Sequence, residues 1–215
     1  MVKTDRRNSP SDNIIEQVDI SLRSIFGIIS GQRGSPARGI EQPILSEENR
    51  AHSAGLMRVN QTGEICAQGL YQGQALVARD SDCRNRLLDA AHEEIDHLVW
   101  CNERLNELDS KPSILNPFFY LASLSIGVGT GMLGDRISLG FVEATEHQVC
   151  EHLAEHMADL PPEDEKSRVV LEKMHQEEAE HGANALRVGG VEFPRWVKGF
   201  MRTVSRLMTE LTYKF

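Results

Sequence analysis

The stretches EEIDH at residues 93–97 and EEAEH at residues 177–181 decide the fold, because each contains the same Glu-x-x-His. Each is preceded by a single glutamate, which lies 30 residues before the motif glutamate in the first copy and 32 in the second. On an α-helix, residues three apart lie on one face, so each motif points a carboxylate and an imidazole in the same direction. The repeated side chains are Glu64, Glu94 and His97 in the first copy and Glu146, Glu178 and His181 in the second.

Four helices that aim these groups inward would form a box of four carboxylates and two imidazoles. Oxygen donors combined with imidazole suit iron or manganese, whereas structural zinc sites usually include cysteine sulfur. The arrangement matches the established pattern of ferritin-like di-iron bundles, and the fold class rests on that match. The sequence therefore predicts an all-α protein, a ferritin-like four-helix bundle with additional N-terminal and C-terminal helices.

A single Glu-x-x-His is more often a solvated pair on a helix surface than a metal site. Here, however, apolar residues adjoin the repeated groups, as Ile95 does beside Glu94 and Val142 and Val149 do near Glu146. Each buried carboxylate without a partner is strongly unfavourable, and metal cations would offset that cost. Two copies in apolar settings therefore favour the di-metal interpretation.

Composition favours helix and argues against some classes of partner. Aromatic residues make up only 6% of the 215 residues, and a net charge of −9 argues against a general nucleic-acid binder. No secretory signal is visible, which indicates that the chain stays in the compartment where it is made, most simply a bacterial cytoplasm. Four cysteines without a C-x-x-C pair are interpreted as reduced, mostly buried thiols: Cys66, Cys83, Cys101 and Cys150.

Breaks in the helical pattern divide the chain into an N-terminal segment, 1–43, and a bundle domain, 44–215. The first contains a short apolar helix over about 13–30 and a Gly/Pro-rich linker after it. Ser46 is expected to start the first bundle helix. The predicted bundle-domain helices span about 47–79, 82–109, 117–158 with a kink near 127–134, 163–188, and 194–213 with Pro194 in its first turn.

Other polar residues lie close to the repeated groups in sequence. Asn60 and Tyr71 share a helix face with Glu64, so each is a candidate to hydrogen-bond a metal ligand, with ordinary packing as the alternative. His152 lies off the face of the second single glutamate unless a bend in the helix brings it in. Three glutamates adjoin the ligands but point away from them, which favours solvated side chains or hydrogen bonds to ligands: Glu93, Glu177 and Glu180.

Two apolar features lie outside the box. Residues 112–134 carry no charge and are long enough to span a bilayer, but their Gly, Pro and Ser content favours a buried or membrane-dipping half of a helix. The C-terminal helix combines an apolar stripe with five basic residues and a single acid, Glu210. This pattern favours contact with an anionic membrane surface, and the alternative is a helix docked on the bundle with a basic outer face.

Five segments together resemble the demethoxyubiquinone hydroxylases of ubiquinone biosynthesis, and the likeness covers roughly residues 47–213. All six repeated side chains match that family's pattern, which implies that they hold two Fe ions. His152 matches a histidine of the family, whereas many members have Asp where Asn60 stands. The segments are LMRVNQTGEICAQGLYQGQAL (56–76), EEIDH (93–97), LSIGVGTGMLGDR (124–136), VEATE (142–146) and QEEAEH (176–181).

The resemblance implies a peripheral membrane monooxygenase that hydroxylates the ring of a polyprenylated demethoxyubiquinol with O₂ and NADH-derived electrons. Its expected location is the cytoplasmic face of the bacterial inner membrane, with lipid and a complex of ubiquinone-biosynthesis proteins as partners. We identify no Rossmann fingerprint, so NADH would bind unconventionally or deliver electrons through another carrier or the quinone. A soluble ferritin-like ferroxidase and a non-catalytic membrane-associated scaffold are the alternatives.

Overall fold

A computed structural model describes residues 19–20, 22–24, 30–41 and 43–215. These residues include six long helices and no strand, which confirms the all-α prediction. The predicted N-terminal helix over 13–30 lies mostly outside the described residues. The six helices are α1 (Glu47–Val77), α2 (Ser81–Glu107), α3 (Asn116–Met132), α4 (Asp135–Asp159), α5 (Glu165–Arg187) and α6 (Arg195–Lys214).

Helices α1, α2, α4 and α5 form the four-helix bundle. α1 packs on α2 and α4 packs on α5, and contacts of α2 with α5 and of α1 with α4 close the bundle. The two pairs correspond to the two copies of the repeated motif. Ser46 caps α1 as predicted, because its hydroxyl accepts a hydrogen bond from the Asn49 N–H at 3.1 Å.

The helix predicted over 117–158 is two helices, and this corrects the sequence-based boundary. α3 ends at Met132, and α4 begins at Asp135 after a break at Leu133 and Gly134. Gly134 has a φ of 115°, a conformation that residues with a side chain rarely adopt. The break lies at the end of the segment where the kink was expected.

Helix α3 lies unusually close to α1. A Cβ atom built on Gly127 of α3 would collide with the carbonyl oxygen of Leu70, and one on Gly73 of α1 would collide with that of Leu124. The missing side chains therefore allow the two backbones to touch. The opposite side of α3 leaves large apolar residues exposed, including Phe118, Leu121 and Met132.

Helix α6 crosses α1 and α4 on the same side of the bundle. Its Lys198 pairs with Glu143 at 2.9 Å and its Arg202 pairs with Glu151 at 2.5 Å, so basic residues face the bundle. The exposed side carries both apolar and basic residues. Its basic residues are Arg195, Arg206 and Lys214, and its large apolar residues are Trp196, Phe200, Val204, Leu207 and Leu211. Pro194 is the N-cap of α6 and does not lie inside its first turn.

The uncharged stretch of the sequence forms α3, which has 17 residues. None of the helices in the described ranges is both long and apolar enough to cross a membrane. All four cysteines are free; Cys83 and Cys101 are buried, whereas Cys66 and Cys150 are partly buried.

Candidate metal centre

The six repeated side chains converge between the four bundle helices. α1 supplies Glu64, α4 supplies Glu146, and α2 and α5 each supply one Glu-x-x-His. All four glutamates are buried, with at most 3% of their surface exposed. Such burial of carboxylates requires compensating positive charge or hydrogen bonds.

Glu94 and Glu178 occupy the middle of the cluster, because each approaches both histidines. The Nδ1 atom of His97 lies 2.9 Å from Glu94 Oε2 and 2.8 Å from Glu178 Oε1. The Nδ1 atom of His181 lies 3.0 Å from Glu94 Oε1 and 3.2 Å from Glu178 Oε2. Donor atoms of Glu64, Glu94, His97 and Glu178 all lie within 4.8 Å of one another.

The outward nitrogen of each histidine is held by a glutamate from the opposite helix. His97 Nε2 lies 2.7 Å from Glu177 on α5, and His181 Nε2 lies 2.8 Å from Glu93 on α2. A carboxylate accepts the Nε2 proton, which leaves the lone pair of Nδ1 directed into the cluster. The tautomer is assigned from these partners.

Sequence reasoning left these two glutamates as solvated or ligand-bonding side chains and did not pair them with the histidines. A signal was present, because both motif copies read Glu-Glu-x-x-His. The second glutamate of each pair enters the cluster, and the first reaches across to the other helix. Glu180, the third acidic neighbour, is exposed.

The carboxylates hold more negative charge than the two imidazoles can neutralise. Burial, together with the charges of Glu94 and Glu178, raises the pKa of Glu64, and burial and Glu178 raise that of Glu146. Burial opposes protonation of His181, but bonds to Glu178 and Glu94 outweigh it and raise the pKa to about 12. The cluster therefore attracts protons or metal cations.

The donor set fits a pair of metal ions. The buried Glu94 Oε1 lies 3.0 Å from His181 Nδ1, and the buried Glu178 Oε1 lies 2.8 Å from His97 Nδ1. Without a metal, a proton joins each pair only when the imidazole is doubly protonated; when the imidazole is neutral with its proton on Nε2, a carboxylate oxygen faces a nitrogen lone pair. Two acceptors at that separation need a shared cation, and carboxylates with imidazole suit iron or manganese.

The sequence analysis named three further residues that could reach the metal ligands: Asn60, Tyr71 and His152. Only Tyr71 contacts the cluster. The buried Tyr71 hydroxyl donates a hydrogen bond to Glu146. Asn60 instead accepts from His156 at 2.8 Å. His152 lies 3.3 Å from the Ser205 hydroxyl of α6 and stacks on His156, away from the six cluster residues.

Comparison with known proteins places the chain in a family. The family model described as Ubiquinone biosynthesis protein COQ7 matches residues 51–212. A protein of Pseudomonas paraeruginosa named 3-demethoxyubiquinol 3-hydroxylase is 50% identical, over 99% of this chain and all of the relative. A protein of the same name from Stutzerimonas stutzeri is 51% identical, over 97% of this chain and 98% of the relative.

These matches confirm the resemblance drawn from the motifs. They extend over almost the whole chain and over nearly the full length of each relative. The chain belongs to the ubiquinone biosynthesis protein COQ7 family.

Proposed function

We propose that this protein is a 3-demethoxyubiquinol 3-hydroxylase, a di-iron monooxygenase of ubiquinone biosynthesis. The convergence of two Glu-x-x-His motifs and two further glutamates in the bundle core is the observation that carries the proposal. The names of relatives about 50% identical over the whole chain supply the reaction.

In this proposal, Glu64, Glu94, His97, Glu146, Glu178 and His181 hold two Fe ions. Glu94 and Glu178 would contribute their carboxylates beside both imidazoles, since each approaches both histidines. When bound, the irons would supply the electrons that activate O₂ for insertion of one oxygen atom into the ring.

The protein's own residues prepare the site. Glu93 and Glu177 fix the orientation of the two imidazoles by accepting their outward protons. Tyr71 donates to Glu146 and holds that carboxylate in place. Burial of the cluster excludes water and strengthens each of these electrostatic interactions.

NADH is the proposed ultimate source of electrons. The glycines at 129, 131 and 134 do have the Gly-x-Gly-x-x-Gly spacing of a Rossmann fingerprint, contrary to the expectation that none is present. They lie at the end of α3 and before α4, not between a strand and a helix, so the spacing supports no dinucleotide site. Electrons would then arrive through another carrier or through the quinone.

A polyprenylated quinol resides in a bilayer, so the enzyme needs a surface that contacts lipid. α3 and α6 together present exposed Phe118, Leu121, Trp196, Phe200 and Leu207. Both helices pack on α1, which carries Glu64. We propose that this apolar face binds the cytoplasmic side of the bacterial inner membrane, where other ubiquinone-biosynthesis proteins are also expected as partners.

Glu178→Ala tests the metal centre, and Glu180→Ala on the same helix is its exposed control. We expect Glu178→Ala to abolish ring hydroxylation and to lower the iron content below two per chain, while Glu180→Ala retains both. Activity is read by quinone profiling in a strain blocked at the demethoxy step, and iron by elemental analysis.

Three outcomes would contradict the proposal. Two irons retained in Glu178→Ala would refute the ligand assignment. Rapid oxidation of ferrous iron without any hydroxylated quinol would favour a ferroxidase. A wild-type protein that binds no iron after reconstitution would favour a scaffold.

A further inference from the structure

We propose that metal ions enter and leave the centre at its His181 end, because Arg33 closes the His97 end. The two metal positions then exchange at different rates. This inference rests on the proposed di-metal centre and concerns the access of ions to it.

The His97 end is closed by the segment that precedes the bundle. The Arg33 guanidinium donates to both oxygens of Glu177, at 2.6 and 3.0 Å, and its Nε donates to Asp96 at 2.5 Å. Arg33 therefore ties α5 to α2 directly over the carboxylate that holds His97. Two backbone N–H groups, those of Gln32 and Arg33, also donate to Asp96.

An aromatic ring completes this closure. The Arg33 guanidinium lies 4.8 Å from the ring centre of Trp100, and that ring lies 5.3 Å from the His97 imidazole. Trp100 is buried and the His97 side chain has no exposed surface. An ion leaving on this side would have to break a bidentate charge-assisted pair and displace a buried indole.

The His181 end has the same glutamate–histidine pair but no such closure. The Glu93 side chain is 61% exposed, against 17% for Glu177, and the His181 side chain is 11% exposed. In the described part of the chain, no arginine or lysine pairs with Glu93 as Arg33 pairs with Glu177.

A cavity leads from the surface to this end. Its volume is about 290 Å³, and it lies between α2, α4 and α5 with Tyr71 and His181 among its lining residues. Its polar residues are Arg86, Asp89, Glu93 and Asn184. A single water needs only roughly 15 Å³, so the volume of the cavity is enough for several waters.

The position of the cavity separates ion access from the apolar face. α3 and α6 pack on α1 and α4, whereas the polar residues of the cavity come from α2 and α5. Asp89 and Glu93 lie four residues apart on α2, so both carboxylates flank the path to His181. A divalent cation would meet these carboxylates before it reaches the cluster.

Release of iron to a chelator tests the inference. Full-length protein loaded anaerobically with Fe²⁺ is mixed with an excess of a chromophoric ferrous chelator, and absorbance is followed in time. We expect two phases of one iron each, with the fast phase assigned to the His181 end. Arg33→Ala should accelerate the slow phase by about tenfold or more, as loss of a residue that supports a metal ligand commonly does.

Ala90→Phe places a ring in the cavity, and Ala183→Phe is its control at an exposed position that does not line the cavity. The first should slow the fast phase and the second should not. A single phase releasing two irons in the wild type would overturn the inference, as would an unchanged slow phase in Arg33→Ala or an unchanged fast phase in Ala90→Phe. Iron content before mixing separates these results from failure of the metal centre itself, which would overturn both proposals.

Discussion

The buried hydroxyl of Tyr71 lies against a carboxylate of the cluster, and its removal should weaken metal binding. In Tyr71→Phe, Glu146 no longer receives the hydrogen bond that Tyr71 donates. We expect iron affinity to fall on the order of tenfold, since partners that orient metal ligands commonly contribute that much. Competition with a chelator of known affinity measures the change.

Tyr120→Phe is the matched control for this substitution. Tyr120 is also buried, and its hydroxyl donates to Gln72 at 2.6 Å rather than to a cluster residue. The Tyr120→Phe substitution should lower the stability of the protein without changing its affinity for iron. Equal losses of affinity in the two variants would mean that Tyr71 acts only through packing.

His156 gives the folded protein a sensitivity to acid that is separate from the metal cluster. Burial, together with the neighbouring His152, lowers its pKa from 6.5 to about 4. Between these values the unfolded chain binds more protons than the folded one, so the free energy of unfolding decreases as pH falls from about 6.5 to about 4.

His156→Gln should remove this part of the pH dependence. The stability advantage of the wild type over the variant should shrink by on the order of 3 kcal/mol between these pH values, the upper bound set by the pKa difference. Urea unfolding at a series of pH values measures it. A difference between the two proteins that does not vary with pH would contradict the assignment.

Residues that act within one helix could be predicted, and residues that act between helices could not. The spacing of Glu94 and His97 fixes their common face whatever the tertiary structure. The pairing of Glu177 with His97 depends on how α2 and α5 face each other, which no local spacing reveals. Arg33 lies in a Gly/Pro-rich stretch, where sequence alone gives no position in space.

At the scale of the helices, the close contact between α1 and α3 depends on glycine residues in both. Gly127→Ala should destabilise the protein by about 1–3 kcal/mol, because its methyl group would collide with the backbone of α1. Gly129→Ala on the same helix has open space and should be neutral or stabilising by roughly 0.5–1 kcal/mol. Urea denaturation of both variants gives the comparison, and similar effects of the two would argue against close backbone packing.

Helix boundaries were predicted well where a chain-breaking residue or a cap stands in the sequence. Ser46 stands at the start of α1, and the Gly189-Gly190 pair stands just after the end of α5. The division between α3 and α4 was expected only as a kink, because the glycines of 127–134 are compatible with a bent helix as well as a broken one. The positive φ of Gly134 decides between them, and it is a property of the folded chain.

At the scale of the whole molecule, α3 and α6 both pack on α1 and both expose large apolar residues, and under the proposed function lipid binding should depend on these residues. A double variant, Phe200→Ser with Leu207→Ser, should bind anionic phospholipid vesicles less than the wild type. Leu186→Ser removes an exposed leucine of α5 and should have no effect. Co-sedimentation with vesicles measures binding, and equal losses in both variants would show that the face is not selective.

Arg33 has a practical consequence for anyone who trims this chain. A protein cut at the predicted boundary between residues 43 and 44 would keep all six repeated side chains and every bundle helix. It would nevertheless lack the Arg33 guanidinium, which donates hydrogen bonds to Glu177 and lies over the Trp100 ring. Such a shortened protein would take up iron and, with both ends of the centre open, lose it during dialysis, so that an emptied preparation would be mistaken for one that never held metal.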